Sequence, residues 1–505
     1  MTQPPPPLPN HPPQSAGFGP PPTLPPPGYG APQLPPGYGY GHPQSAMAGG
    51  RRTQARLTVV VAALLTIALI VVGGVWYANS GRDEGEHATA NSVGAGGDTG
   101  GQGDEKVPAD TGAEVLFQVP MPETRDVGGV VVPGSWLTDK VYVKSGIAEI
   151  VGYDADKGTR LWTIPLPGPV CTVSRNTTED NRTAVVFQPR MPAGNASAGC
   201  SQVAAIDLDA GKRLWTRTAQ TGDRLIAFSN VTVSGNTVAA GSTGGGAAWD
   251  IASARPLWAP KPADTCYDAG YGGGTKLVAV RRCGSSDRLQ LHIQTIDPTS
   301  GTVISEYGMA QGIEHADVVS TDPLVVAAEA GDTASPTSDL FSVDNRTGRL
   351  RSRISLPDDQ YAARCDAIGE VENCRRLVVG NDRLYVPTQE HANEIVAFDL
   401  ATGKQTGKRA DAGDGYTISP LRMDGGNVIA YKRPAYGQGG RIVSIDGVTV
   451  KETELLENPA TRTLLPEYSE ILFRDGRLYM SQAHAFRLSG SPEKQYLAIA
   501  FGTNG

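Results

Sequence analysis

Six cysteines, Cys171, Cys200, Cys266, Cys283, Cys365 and Cys374, are the residues of this 505-residue chain whose types most directly suggest chemistry. An even count without a C-x-x-C spacing or a nearby Cys/His quartet reads as a disulfide framework rather than a metal or redox centre. Sequence proximity favours Cys171–Cys200, Cys266–Cys283 and Cys365–Cys374, with other pairings open. Asp154-x-Asp156-x-Gly158 has the start of a calcium loop but lacks the later Glu ligand, so the acids read as turn caps. His292, His315, His391 and His484 are scattered. No Gly-x-Ser-x-Gly elbow or His-Glu-x-x-His pair accompanies them, so no nucleophile or zinc protease is expected. Gly244–Gly246 precedes a strand pattern rather than a helix, which argues against a phosphate cradle. Asn176, Asn181, Asn195, Asn230 and Asn345 open Asn-x-Ser/Thr triplets, glycan sites only in a eukaryotic secretory setting. No catalytic, cofactor-binding or metal-ligating residue is assigned.

The pattern that organises the chain is a repeat. Apolar residues lead to an Asp, then a Gly four positions on, then often Leu-Trp. The phrase runs through Asp154, Gly158 and Trp162, and through Asp207, Gly211 and Trp215. Asp250 and Trp258 repeat it with Ala254 in place of Gly. Asp297 with Gly301, Asp344 with Gly348, and Asp399 with Gly403 keep the first two elements and lose the Trp. A seventh copy keeps only Asp446 convincingly. Physically this is a β-hairpin: Val, Ile, Ala and Phe suit a buried strand, Asp caps its own turn, and Gly takes positive φ. A further strand precedes each hairpin, as at 140–146, 236–242, 276–282, 382–388 and 476–482. The steps from Asp154 to Asp446 average about 49 residues, close to the ~40–50 of a propeller blade.

The expectation is therefore an all-β, eight-bladed β-propeller over 113–505, with a count of seven also open. An eighth, worn copy is placed around Tyr479 to Leu488. Val115–Pro120 is similar to the strand Leu161–Pro165 but has no hairpin, so it is expected to complete the last blade and close the ring.

The segments ahead of residue 113 differ in composition. Residues 1–50 carry no Asp, Glu, Lys or Arg and are rich in Pro and Gly, which reads as a disordered tail. Its two Pro-Pro-Gly-Tyr-Gly phrases and its poly-Pro run read as a solvated spacer, with docking on an aromatic groove as the rival. Residues 51–78 hold Arg51, Arg52 and Arg56 and then an uncharged apolar run, Leu57 to Tyr77. About 21 helical residues suffice to cross a bilayer, and the flanking charges put the N-terminus in the cytoplasm. Residues 79–112, rich in Gly and small polar residues, read as a flexible linker outside the cell. A net charge of -8 argues against nucleic acid as a partner.

The repeat Ala-x-Asp-x-x-Thr-Gly-Lys-x-x-Trp resembles that of pyrroloquinoline-quinone (PQQ)-like β-propellers, over roughly 113–490 and most closely at 203–215 and 395–404. The resemblance implies that Trp162, Trp215 and Trp258 pack between blades. Tail, membrane helix and propeller together also resemble surface proteins of actinobacteria. Quinoprotein dehydrogenases of this family hold PQQ and Ca²⁺ over the axis, many against a pair of adjacent cysteines. This sequence has no adjacent cysteines, and the calcium ligands find no matching positions. The resemblance to non-catalytic relatives implies instead a cell-surface binding or scaffold protein, without cofactor. It would meet a protein, peptide or envelope polymer at the propeller mouth. A PQQ/Ca-dependent dehydrogenase and an extracellular small-molecule sensor are the alternatives.

Overall fold

The computed structural model describes residues 103–503 except 125–128, 193–196, 262, 286–287, 329–338, 364, 366–370, 390–392, 436–437, 461–469 and 486–494. The tail and the apolar run Leu57–Tyr77, with the linker up to residue 102, lie outside the described residues, as do Asn195 and His391. Among the described residues no helix is long and apolar enough to cross a membrane.

Eight four-stranded antiparallel sheets follow one another along the chain, and each is one blade. The first blade is Ser135–Leu137, Val141–Gly146, Glu149–Asp154 and Arg160–Pro165, in that spatial order from the axis outward. Six more repeat this meander, at 170–217, 230–258, 266–308, 316–355, 378–411 and 416–457. Two two-stranded ribbons, Gln220–Thr221 with Arg224–Leu225 and Val130–Val131 with His484–Ala485, lie in the connections. The middle strands are buried on both faces, because each blade packs against a neighbour on either side. Thr237–Gly241 is buried throughout, and Ala239, Ala240 and Ala248 are all but inaccessible. Small alanines there let successive sheets approach closely. The outer strands alternate, as in Arg160–Pro165, and face solvent along one edge.

The ring closes as the sequence suggests. Ala113–Pro120 is the outermost strand of the eighth blade, paired antiparallel to Tyr496–Thr503 from Ala113↔Thr503 to Pro120↔Tyr496. Bonding the two ends of the domain in one sheet leaves no gap in the ring. Two expectations change. The eighth copy, expected around Tyr479 to Leu488, is spread more widely: Arg477–Ser481 is its second strand and Tyr496–Thr503 its third, with residues 486–494 outside the described residues. Its hairpin phrase is missing because its third and fourth strands come from opposite ends of the domain. The packed region also begins before residue 113. Asp104 and Glu105 give their N–H groups to Asp424 at 3.1 and 3.2 Å, and Glu457 gives its N–H to Thr111 at 2.6 Å. Glu105 bonds Arg422 of the seventh blade and accepts the Asp475 N–H of the eighth at 3.0 Å.

Candidate functional site

The Asp turns come first, because they set the edges of every seam between blades. Asp154 accepts the N–H groups of Asp156 and Lys157 at 3.1 and 2.8 Å, and Gly158 closes the turn on the Asp154 carbonyl at 2.9 Å. Asp297, Asp344, Asp399 and Asp446 cap in the same way, and Asp207 and Asp250 accept the N–H three residues on. These bonds to Ser or Thr and to backbone N–H groups hold the Asp250, Asp297, Asp344, Asp399 and Asp446 carboxyls below the usual range. Gly158, Gly211, Gly301, Gly348 and Gly403 have φ between +62° and +71°, and Ala254 and Val450 take the same position at +61° and +57°. The sidedness matters too. A Cβ on Gly211 would overlap the Trp162 ring, and one on Gly158 would overlap Phe117. Phe117 thus performs at the closing seam what Trp162 performs at the next.

The carbonyl just after each Asp is the second fixed point. Trp215 Nε1 donates to the Ile251 carbonyl of the next blade at 2.7 Å. Where Trp is absent, a hydroxyl takes over: Ser305 Oγ donates to the Asn345 carbonyl at 2.5 Å and Ser352 Oγ to the Leu400 carbonyl at 2.7 Å. Thr237 Oγ1 meets the Pro298 carbonyl at 2.6 Å, Tyr479 Oη meets that of Ala155 at 2.9 Å, and Arg383 meets that of Gly447. Trp258 rests beside Gly301 and gives its N–H to Tyr271 Oη at 3.0 Å. These sites are structural. Six of the seven carbonyls find a donor from the preceding blade, as buried polar groups tend to; at the turn of the second blade the Trp162 indole N–H is buried without a hydrogen-bond partner among the described residues.

The axis is built differently. In each meander the first strand lines it, and the connections between blades gather at the end away from the Asp turns. Three disulfides lie at that end: Cys171–Cys200, Cys266–Cys283 and Cys365–Cys374, the pairings that proximity favoured. The last belongs to the connection between the fifth and sixth blades, which runs inward. The Val371 carbonyl accepts the Val318 N–H of the fifth blade at 2.7 Å. Glu372 Oε1 accepts the Gly273 N–H of the fourth blade at 2.7 Å and Asn176 Nδ2 of the second at 3.2 Å. Asn373 Oδ1 accepts Arg175 at 2.6 Å. Asn176 Nδ2 also reaches Thr232 of the third blade at 3.1 Å. A Cβ on Gly270 would overlap Val371, so glycine there admits the segment. A segment that touches the first strand of the fifth blade and the turns after the first strands of the second and fourth fills the axial side of these blades.

Charge is concentrated around it. Burial pushes the Glu372 carboxyl up, with the Thr232, Gly273, Arg175 and Asn176 contacts opposing. On the far side Lys144 Nζ lies buried 3.0 Å from Glu470 Oε2 and donates to the Val132 carbonyl at 2.6 Å. Burial raises the Glu470 carboxyl, but Lys144, the Gly134 N–H and Arg375 together outweigh it and hold the group low. This pair ties the first blade to the eighth.

Of the sequence candidates, the repeat residues lie in the seams, not in one site. Asp154 and Asp156 belong to a capped turn. His292 bonds Glu306 at 2.9 Å on the surface of the fourth blade. Among the described residues one group of metal-type donors converges, Asp317 with Cys365 and Cys374, but the two sulfurs are bonded to each other. Sequence reasoning missed Glu372, Asn176 and Arg175. The only signal was that the Cys365–Cys374 pair sits in an unusually long connection.

The sequence profile of the family described as outer membrane protein assembly factor BamB matches residues 105–265 and 201–446. No curated protein matches the chain significantly. Among solved structures, BamB from Moraxella catarrhalis is 13% identical with a TM-score of 0.41, over 75% of this chain and 99% of that one. Quinohemoprotein alcohol dehydrogenase from Comamonas testosteroni is 13% identical with a TM-score of 0.45, over 77% and 76%. A europium-containing methanol dehydrogenase is 12% identical with a TM-score of 0.41, over 77% and 93%. At these TM-scores the likenesses carry nothing about activity.

Proposed function

The chain belongs to the PQQ-like β-propeller family described as outer membrane protein assembly factor BamB, and from that premise we propose that it is a non-catalytic binding or scaffold propeller held outside the cell membrane. The helix of 51–78 anchors it, with the tail of 1–50 in the cytoplasm. The partner is a protein, peptide or envelope polymer, and it binds at the end that carries the inter-blade connections. Loops vary there without disturbing the strands that carry the core.

The observation that carries this reading is the filled axis. Val371, Glu372 and Asn373 run between blades and bond to the first strand of the fifth and to the turns after the first strands of the fourth and second. The residues present do not fit a quinone and its calcium. The six cysteines are all in disulfides and none are adjacent. Acidic groups near the axis are already committed, Glu372 to Gly273 and Asn176 and Glu470 to Lys144.

Two measurements test the proposal. The purified protein with PQQ and Ca²⁺ is expected to give no saturable quinone absorbance and no dye reduction with alcohols or sugars; both signals together would establish the dehydrogenase instead. Cross-linking in intact cells is expected to recover one specific envelope partner, lost when 103–505 is deleted. Recovery of nonspecific neighbours alone would favour a small-molecule sensor.

A further inference from the structure

The Glu372 carboxyl is met by donors from three different blades. Its Oε1 accepts the Gly273 N–H of the fourth blade at 2.7 Å and Asn176 Nδ2 of the second at 3.2 Å. The other Asn176 side-chain N–H goes to Thr232 Oγ1 of the third blade at 3.1 Å, which leaves the Thr232 hydroxyl hydrogen to the same carboxyl. Arg175 adds positive charge beside it. Thr232 is fully buried and Asn176 is 6% exposed. Buried donors of this kind are costly unless something accepts from them.

The donors are fixed by bonds of their own. The Ser174 hydroxyl donates to the Asn176 carbonyl at 2.8 Å and accepts the Asn176 N–H at 3.1 Å, and Thr183 Oγ1 donates to the same carbonyl at 3.0 Å. Thr321 Oγ1 donates to the Gly273 carbonyl at 3.0 Å, and Gly274 gives its N–H to the Val233 carbonyl at 2.8 Å. A Cβ on Gly273 would overlap Thr232 Oγ1, so glycine alone brings its N–H to this point. All of these bonds lie within and between the blades. Glu372 is carried differently: it rides half-buried on the connection between the fifth and sixth blades, outside every strand. Donors held in place independently of their acceptor are what a recognition site for a carboxyl requires.

We propose that Asn176, Thr232 and Gly273 form an axial carboxyl site, which Glu372 fills in cis and an acidic side chain of the partner fills in its place. The inference deepens the binding role proposed above and rests on it for the partner. The exchange trades like for like: one carboxyl leaves these donors and another arrives, so no buried donor is orphaned. The tip of the insert also gives up the Val318 N–H and Arg175, contacts that an extended acidic peptide can remake with a backbone carbonyl and a side chain. The insert reaches the site from the end where the connections gather, and the partner's side chain takes the same route. The charge of Arg175 favours a carboxyl over the neutral amide of the same shape.

The test uses the full chain. Glu372→Ala removes the cis carboxyl and keeps the insert. Acetate is expected to raise the Tm of this variant saturably, with chloride at equal ionic strength as control, and to leave wild type unchanged. N-acetylglutamate amide, read by saturation-transfer NMR, tests the exchange. It should bind Glu372→Ala about tenfold or more tightly than wild type, where the cis carboxyl competes. N-acetylglutamine amide should bind about tenfold more weakly than the glutamate amide. Adding Asn176→Ala to Glu372→Ala should abolish both the rescue and the binding. Acetate without effect on Glu372→Ala overturns the proposal, as does equal binding to variant and wild type or equal binding of the two amides. If Glu372→Ala folds in acetate and not in chloride, that is the expected rescue; if it folds in neither, the proposal falls. A partner captured by cross-linking while these results fail would remove the carboxyl site and leave the binding role standing.

Discussion

The two halves of the ring hold their blades together by different side chains at the same place. From the eighth blade round to the fourth, Phe117, Trp162, Trp215 and Trp258 dock on the neighbouring turn. From the fourth to the sixth, Ser305 and Ser352 stand at that register and reach the same carbonyls. Trp215 shares with the serines a donor for the carbonyl after the neighbouring Asp, whereas Phe117, Trp162 and Trp258 cover the turn with a ring, and at the first and fourth turns Tyr479 and Thr237 supply the donor instead. The seam between the seventh and eighth blades has no Asp turn at all, and there the segment 103–112 bridges the two through Glu105 and Thr111.

The largest effect that sharpens this contrast should come from Trp215→Ala. It removes both ring and donor, and about 3–5 kcal/mol of stability should be lost in urea unfolding. The cystine Cys171–Cys200 closes a 29-residue separation, and replacing both cysteines by Ala should cost about 3 kcal/mol in the same assay. Ser352→Ala leaves the Leu400 carbonyl without its donor and should cost about 1–3 kcal/mol. If it matches Trp215→Ala instead, the hydroxyl seams rest on more than the hydrogen bond. Ala254→Gly relieves positive φ at the one early turn that lacks glycine, and should raise stability by about 0.5–1 kcal/mol.

The turns and the axis should also respond oppositely to pH. The turn aspartates have lowered carboxyls, so their contribution is present above the unfolded value near 3.8 and is lost as pH falls through the lower folded one. Glu372 has a raised carboxyl, so its contribution is complete below the unfolded value of 4.5 and is lost as pH rises through the folded one. Glu372→Gln should therefore flatten the fall in stability above pH 4.5 and leave the acid limb unchanged, as read from urea midpoints across pH.

Much of the fold was legible because the Asp-x-x-x-Gly hairpin is local. Capping and positive φ are decided within five residues, and the spacing of copies then counts blades. Closure by 113–120 was legible because Phe117 and Val119 sit in the frame of Trp162 and Ile164. The hydroxyl seams were not, since Ser305 and Ser352 look like loss of the Trp until the register shows their carbonyls. Nor was the axial segment. Glu372 meets Asn176 and Gly273 across 196 and 99 residues, and no local pattern announces such contacts. In the sixth blade the outer strand holds one residue more between Val396↔Arg409 and Phe398↔Gln405, which the Asp-to-Gly spacing does not announce.

The binding role is tested most directly by photo-cross-linkers placed at two exposed residues in living cells. One replaces Leu225, 49% exposed on the ribbon in the connection between the second and third blades; the other replaces Val448, 67% exposed in an Asp turn. A specific envelope partner captured from position 225 and not from 448 is the predicted result. Capture from 448 alone, or from neither, would contradict a partner-binding surface at the end where the connections gather.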